Sequence, residues 1–279
     1  AGINPVDWKI RKGNLTFITG KKFPKILGLD FAGWIESTGA GVQKFQKRDK
    51  VFGSLSKVYG KTGSYAEYLV VSENTIAPKP ESVSYQEAAA LPTAGLTALQ
   101  GLLACGLKKG QKILINGASG GVGTFAVQLA KIFGAANITA VCSPKNFEMV
   151  KALGAKICID YTKTDFTTQE TTYDVIFDAI GNKNFGKCKH LLDSKGIYYT
   201  SSPAPEGIKD ALLTTFSRKK VKIGFARANR TDLDYLAGLL TDKKLQVIID
   251  EQYDLTEVAI AHTYSESGHV SGKIIINIK

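Results

Sequence analysis

The chain is poor in the residues that build metal centres and disulfide frameworks. Only four cysteines occur in 279 residues (Cys105, Cys142, Cys158 and Cys188), and no two form a CxxC pair. Such scatter fits reduced thiols in an intracellular protein better than a disulfide framework. The three histidines, His190, His262 and His269, show no metal-ligand spacing. No metal site is therefore expected. Acidic residues are also short, at 25 against 36 Lys and Arg, a net charge of +11. Between residues 183 and 230, eleven Lys and Arg stand against three acids. That local excess reads either as attraction to phosphate, anionic lipid or nucleic acid, or as a solvated lysine-rich face. No nucleic-acid motif accompanies it, so a nucleic-acid partner is not expected. Residues 88–107 form an uncharged stretch of bilayer length, but Pro92, Thr93, Gly95, Thr97 and Gln100 interrupt it. It reads as a buried helix, and no transmembrane segment is expected. The chain opens at Ala1 without a methionine or a signal peptide. A preceding segment, any targeting peptide included, is therefore expected. The compartment expected is the cytoplasm, or an organelle if such a segment directs it there.

The middle of the chain alternates β-branched runs with helical patterns. The strand candidates are residues 112–116, 137–142, 155–160, 173–180, 196–202 and 220–226. Segments of helical length separate most of them, among them 124–133, 146–154, 184–193 and 207–217. Near-continuous apolar strands separated by amphipathic helices predict a parallel sheet covered on both faces. Six in this order predict a doubly wound dinucleotide-binding domain. The first 87 residues show glycine punctuation, short alternating runs (DFAGWIEST, AEYLVVS) and little helical periodicity. They predict a mostly β domain. One more helix (232–244) precedes two final strands, 247–255 and 273–278, which have no helices of their own and are expected to rejoin the first domain. The division predicted is 1–89 with 229–279 for the β domain and 90–228 for the nucleotide domain.

The strongest local signal is KILINGASGGVGTFAVQLAK. A strand ends at Asn116, and 117–123 turns directly into a helix. The spacing matches GxGxxG with Ala118 in the place of the first glycine. Gly120 lets a backbone approach a pyrophosphate, and Gly123 allows close packing of helix on strand. The helix start, with Ser119, Gly121 and Val122, offers N–H groups and a positive dipole end to phosphates. The next strand decides between NAD and NADP. NAD-selective sites place a carboxylate at its end for the ribose hydroxyls. This strand ends at Cys142-Ser143-Pro144-Lys145-Asn146, with no acid before Glu148. Ser143, Lys145 and Asn146 are donors suited to a 2′-phosphate, so the cofactor predicted is NADP(H). The other reading of Ser143 and Pro144 is a helix cap, and both can hold together.

Taken with their surroundings, these residues resemble the medium-chain dehydrogenase/reductase superfamily, in its zinc-independent quinone and enone (alkenal) oxidoreductase branch. The matching pieces are AGINPVDWKIRKG (1–13), GLDFAGWIESTGAGV (28–42), RDKVFG (48–53), AAALPTAGLTALQGL (88–102), NGASGGVGTFAVQLAK (116–131), FDAIG (177–181) and HVSGKIIINI (269–278). The resemblance implies an α/β fold, with a Rossmann domain and a discontinuous GroES-like β domain. Zinc alcohol dehydrogenases carry Gly-His-Glu where this chain has Gly28-Leu29-Asp30, and no cysteine precedes Cys105. Neither zinc site of that superfamily can be assembled. Without a Lewis acid, alcohol oxidation is handicapped. Reduction of an electron-poor carbon, in a quinone or an enone, requires positioning and a donor for the developing enolate oxygen.

By the same resemblance, Asn4 and Asp7 lie by the cofactor cleft and Thr97 near the nicotinamide, although helix packing explains Thr97 equally well. Tyr161 falls by the adenosine phosphate or is a strand-end aromatic, and Gly181, after the fourth strand, fits a backbone that approaches the nicotinamide ribose. Lys9 stands where enone reductases often carry lysine and bacterial quinone reductases tyrosine. It reads either as a donor to the enolate oxygen or as a plain surface lysine. Lys273 reads as structural. The resemblance implies a small enone, alkenal or quinone as substrate and allows a homodimer. Three readings stay open: an NADPH-dependent enone reductase, an NADPH:quinone reductase, and a non-enzymatic NADPH-binding protein whose basic face engages a partner.

Overall fold

The computed structural model describes residues 1–55, 62–201 and 205–278. The chain packs as two units: Ala1–Leu96 with Arg227–Lys279, and Thr97–Ala226. Four short strands come first: β1 (Gly2–Ile3), β2 (Asp30–Trp34), β3 (Lys50–Ser54) and β4 (Ile76–Pro78). The middle contributes β5 (Lys112–Asn116), β6 (Asn137–Cys142), β7 (Ile157–Asp160), β8 (Tyr173–Asp178), β9 (Leu192–Thr200) and β10 (Lys220–Ile223). Two more, β11 (Ile249–Asp254) and β12 (Lys273–Asn277), close the chain.

In the second unit all six strands are parallel, in the order β10-β9-β8-β5-β6-β7. This is the doubly wound arrangement, mixed α/β. Its strand order reverses between β5 and β8, and ligands of such sheets sit outside the carboxyl ends of the strands at that point. The strands form because their apolar runs are buried on both faces: Ile113, Leu114 and Ile115 have no solvent exposure. The helix Gly121–Ile132 packs a buried stripe that includes Phe125, Ala126 and Leu129 on the sheet. On the helix Pro92–Cys105, a Cβ at Gly101 would lie 2.6 Å from the Tyr199 ring. Tyr199 stacks on Phe177 with centroids 4.5 Å apart, and the helix can approach that stack only as glycine.

The sheet of the first unit runs β11-β12-β1-β2-β3-β4. Strands β1 to β4 pair antiparallel in sequence, and β12 joins β1 antiparallel. The chain's end is thereby tied to its beginning in one sheet. The pair β11·β12, however, is parallel. A parallel pair needs a crossover, and the helix Val258–Glu266 provides it, with Ala261 and His262 buried. The expectation that no helix follows the final strands is corrected here. The segment is short and its inward face is carried by alanine and histidine, so an apolar period does not show.

Three further expectations change. The opening segment holds a helix, Pro5–Arg11, started by a capping box between Asn4 and Asp7 with Pro5 in the first turn. Local capping outweighs its weak apolar period. Residues 66–72 form no strand, and β4 comes only at Ile76–Pro78. The helix expected over 184–193 shrinks to Phe185–Cys188 and a 3-10 turn, Lys189–Leu191. Strand β9 then starts at Leu192, because Leu191 and Leu192 are claimed by the sheet core. The last residue of the strand expected over 196–202 lies outside the described residues.

Candidate cofactor loop and buried polar cluster

The carboxyl ends of β5, β6, β7 and β8 carry every nucleotide-site residue proposed from the sequence except Thr97. After Asn116 the chain turns at Gly117, whose φ of +80° is open to glycine and strained for other residues. The left-handed turn is thus taken by Gly117, one residue before the alanine that fills the motif's first glycine position. Gly117 and Ala118 both donate N–H bonds to Val141 O at 3.1 Å, which ties the loop to the end of β6. Ser119 is half-buried. Gly120 is the N-cap of the helix, and no side chain caps it. The first-turn N–H groups, from Gly121 and Val122 onward, lack intrahelical acceptors, as in every helix.

The two remaining loop glycines differ in what surrounds them. A Cβ at Gly123 would stand 2.0 Å from Gly117 O and 2.7 Å from Ala118 Cα, so that position is closed by the loop's own backbone. A Cβ at Gly120 would meet only Gly117 O, at 3.6 Å. Among the described residues no other atom comes within 4 Å of that position. A dinucleotide's pyrophosphate fits this cradle: open backbone at Gly120, an uncapped helix start, and no carboxylate in the loop.

Ser143 follows β6 as N-cap of a 3-10 turn, Pro144–Asn146, yet its side chain makes no capping bond. Lys145 is exposed and Asn146 buried. The next acid along the chain, Glu148, pairs with Lys151 at 3.1 Å, and Asp160, at the end of β7, stands opposite Cys142. Tyr161, half exposed, follows β7. Gly181, at φ +79°, follows β8 and donates its N–H to Asp178 Oδ1 at 2.9 Å. The fully buried Asp178 is the hub here. Its Oδ1 also accepts from Ile180 N–H and Asn116 Nδ2, and its Oδ2 from the Tyr198 hydroxyl at 2.7 Å. Burial, then the Asp178 charge, pushes the Tyr198 phenol well above the ordinary tyrosine range, so it stays a donor. Sequence reasoning singled out Gly181 in this turn and missed Asp178. The signal was an acid ending an apolar strand beside Asn116, which ends another. Thr97 is buried on the helix Pro92–Cys105.

The residues expected to serve the substrate lie in the first unit, and two of the three belong to a buried polar cluster. Asn4 sends its N–H to Asp7 Oδ2 (2.8 Å) and its Nδ2 to Asp30 Oδ2 (2.8 Å). Lys273 donates to Asn4 Oδ1 (2.6 Å) and Ile3 O (2.7 Å), and its Nζ stands 3.8 Å from Asp30 Oδ2. Thr93 donates its N–H (3.1 Å) and hydroxyl (2.5 Å) to Asp30 Oδ1. Tyr65 donates to Asp7 Oδ2 at 3.0 Å, and His262 Nε2 lies 3.4 Å from the Tyr65 hydroxyl. Burial lowers the Lys273 ammonium pKa, against the attraction of Asp30 and Asp7. Burial raises Asp7 to about 7, opposed by the Asn4 N–H bond. Among the described residues Asp7 Oδ1 and His262 Nδ1 have no hydrogen-bond partner. Asn4 and Asp7 are therefore interior residues that cap a helix and join three strands. Asp30, Tyr65, His262 and Lys273 were not singled out for this cluster. Charged residues opening apolar strands, Asp30 in DFAGW and Lys273 in KIIIN, were the available sign. Lys9 stands apart, half-buried on the helix Pro5–Arg11, its Nζ 5.6 Å from the centroid of the Trp8 ring.

A doubly wound sheet with a glycine loop at its switch point is the architecture of a dinucleotide-binding domain. Comparison with known proteins agrees. Residues 1–81 match the family model "Alcohol dehydrogenase GroES-like domain", and residues 153–276 match "Zinc-binding dehydrogenase". The chain is 35% identical over 286 residues to the chloroplast envelope quinone oxidoreductase homolog of Arabidopsis thaliana, covering 98% of this chain and 86% of that one. It is 31% identical over 283 residues to the NADPH-dependent alkenal/one oxidoreductase, chloroplastic, of the same plant, covering 99% and 69%. The solved quinone oxidoreductase from Coxiella burnetii superposes with a TM-score of 0.91 at 33% identity, covering 100% and 88%. The chain belongs to the medium-chain dehydrogenase/reductase superfamily, in its zinc-independent quinone oxidoreductase branch.

Proposed function

We propose that the protein reduces α,β-unsaturated carbonyl compounds, enones or alkenals, with NADPH as the electron source. The observation that carries the cofactor choice is the turn after β6. Ser143 has a hydroxyl not spent on capping, Lys145 is exposed, and the first acid beyond them is already paired with a lysine. A 2′-phosphate would meet donors there, and the turn itself holds no carboxylate before Glu148. In this reading the second unit is the nucleotide domain and the first the substrate domain. Ser119, Gly120, Gly121 and Val122 hold the pyrophosphate, Ser143, Lys145 and Asn146 the 2′-phosphate, and Tyr161, Gly181 and Thr97 the rest of the dinucleotide.

Held by these residues, NADPH would supply a hydride to the β-carbon of the substrate, and solvent would supply the proton. Negative charge then grows on the carbonyl oxygen, and Lys9, the cationic donor that the resemblance assigns to the substrate, stabilises it. Asn4 and Asp7 act one step back: their capping box starts the helix that carries Lys9. The preference for enones over quinones is supported by lysine at position 9 and by the alkenal/one oxidoreductase among the relatives.

The test is NADPH oxidation by the purified full chain against quinones, short alkenals and cyclic enones, with wild type and Lys9→Met. Turnover of enones is expected, and Lys9→Met should lower kcat and kcat/KM for them by up to about 100-fold (~2.7 kcal/mol), with a smaller loss for quinones. Unchanged enone turnover at intact NADPH affinity would make Lys9 a surface lysine. An absence of turnover with every substrate would leave an NADPH-binding protein.

A further inference from the structure

The helix Pro5–Arg11 carries Lys9, and it does not hold itself in place. Its seven residues make about two turns, and so short a helix owes its position to contacts outside it. One element supplies such contacts at both ends, the crossover helix Val258–Glu266. At the amino end, Tyr65 donates to Asp7 Oδ2 at 3.0 Å, and His262 Nε2 stands 3.4 Å from the Tyr65 hydroxyl. The Tyr65 and His262 rings meet edge to face, with centroids 5.8 Å apart. At the carboxyl end, Glu266 pairs with Arg11 and, at 2.6 Å, with Lys12. His262 and Glu266 lie four residues apart, one above the other on one face of their helix. Asp7 and Arg11 have the same spacing on theirs. Lys9, two residues from each, stands on the opposite side.

The direction of each hydrogen bond at the amino end follows from charge and burial. Burial, then the Asp7 charge, raises the Tyr65 phenol well above the ordinary tyrosine range, so the hydroxyl keeps its proton and gives it to Asp7. The hydroxyl oxygen is left to accept, and His262 must present Nε2–H to it. Burial, then the Arg11 charge, lowers the His262 pKa, so the ring is neutral at pH 7 and its Nδ1 is an acceptor. That Nδ1 has no partner among the described residues. A crossover helix has no need of such a group. Leucine at this position would leave no buried nitrogen unpaired, but it could not donate to Tyr65.

We infer that Tyr65, His262 and Glu266 are positioning residues for Lys9, fixing both ends of its helix and thereby the point where its ammonium meets the enolate oxygen. The inference rests on the reading of Lys9 as the donor to that oxygen. Such a donor stabilises the growing charge only within about 2.7–3.1 Å of it, so a small tilt of the helix weakens it. The loss belongs to the transition state, and it falls on kcat more than on the binding of NADPH.

The experiment is a double-mutant cycle on enone reduction under saturating NADPH. Tyr65→Phe, His262→Phe and Glu266→Gln are each made alone and together with Lys9→Met. Tyr65→Phe removes one oxygen and Glu266→Gln one charge, so both report on the clamp even where His262→Phe fails to fold. Each single variant should lower enone kcat about 3–10-fold and leave KM for NADPH within about twofold of wild type. In the Lys9→Met chain the same changes should cost less than about twofold, because what they position is gone. A loss of equal size with and without Lys9 overturns the inference. So does wild-type kcat in Tyr65→Phe and Glu266→Gln while Lys9→Met is slow. Enone turnover that is absent, or that Lys9→Met leaves untouched, removes the reading of Lys9 and this inference with it.

Discussion

At the scale of single residues, the turn after β6 and the interior of the first unit make opposite uses of charge. Lys145 is exposed, in a turn whose own residues include no acid. Lys145→Ala should weaken NADPH binding about tenfold, roughly 1.4 kcal/mol, and leave NADH binding almost unchanged, as titration calorimetry would show. Equal losses for both cofactors would mean that the lysine does not read the 2′-phosphate. Asp7 is the converse case, a carboxyl wholly buried beside Asp30 and opposite Lys273. Its folded pKa of about 7 exceeds its ordinary 3.8, so the folded state holds the proton more tightly than the unfolded chain. This group's contribution is most favourable below about pH 4. It is lost as pH rises toward 7 and then levels off. Urea unfolding across that window should show stability falling by at most about 4 kcal/mol on this account, and Asp7→Asn should flatten the slope. A variant with the wild-type slope would assign the pH dependence to other groups.

Among the elements, the strand–loop–helix unit 112–132 separates a glycine the fold requires from one it leaves free. Gly123→Ala puts a methyl 2.0 Å from Gly117 O and must push the helix off β5. A stability loss of about 1–3 kcal/mol is expected by thermal unfolding, with cofactor or without. Gly120→Ala meets only one atom, at 3.6 Å, and should leave the melting temperature close to wild type. It should nonetheless weaken NADPH binding about tenfold or more, because the methyl occupies the space a pyrophosphate approaches. If Gly120→Ala binds NADPH like wild type, the pyrophosphate does not cross this loop. The helix Val258–Glu266 makes the complementary point. It exists so that β11 and β12 can run parallel, and it brings His262 to Tyr65 as a consequence.

Across the whole molecule, the missing ligands govern the chemistry. With Leu29 between Gly28 and Asp30, and no cysteine before Cys105, the superfamily's zinc chemistry has no donor set in the residues of this chain. NADPH oxidation should survive prolonged chelator treatment, and elemental analysis should find no stoichiometric zinc. One tightly held zinc per chain with activity lost on chelation would contradict the assignment to the zinc-independent branch. No described helix is long and apolar enough to cross a membrane. The uncharged stretch at 88–107 resolves into the end of one helix, Tyr85–Ala90, and another, Pro92–Cys105, with Leu91, Leu96, Leu99 and Leu102 buried.

What the sequence determined by itself was whatever rests on neighbours along the chain. Strands β5 and β6 fall at residues 112–116 and 137–142 as read, because continuous apolar runs allow little else. The glycine loop was legible because its spacing is a local backbone requirement, although the left-handed turn moved to Gly117. The absence of zinc ligands is a matter of composition alone. Tertiary structure decided the rest, wherever partners are far apart in the chain. Asn4, Asp7, Asp30, Tyr65, His262 and Lys273 span the whole sequence, and only the pairing of β1 with β12 and β2 assembles them. Asp178 became a hub through Asn116, 62 residues back on β5, and Tyr198 on the next strand, β9. A buried charge is tolerated when it is paired, and pairing across two hundred residues leaves no period in the sequence to read.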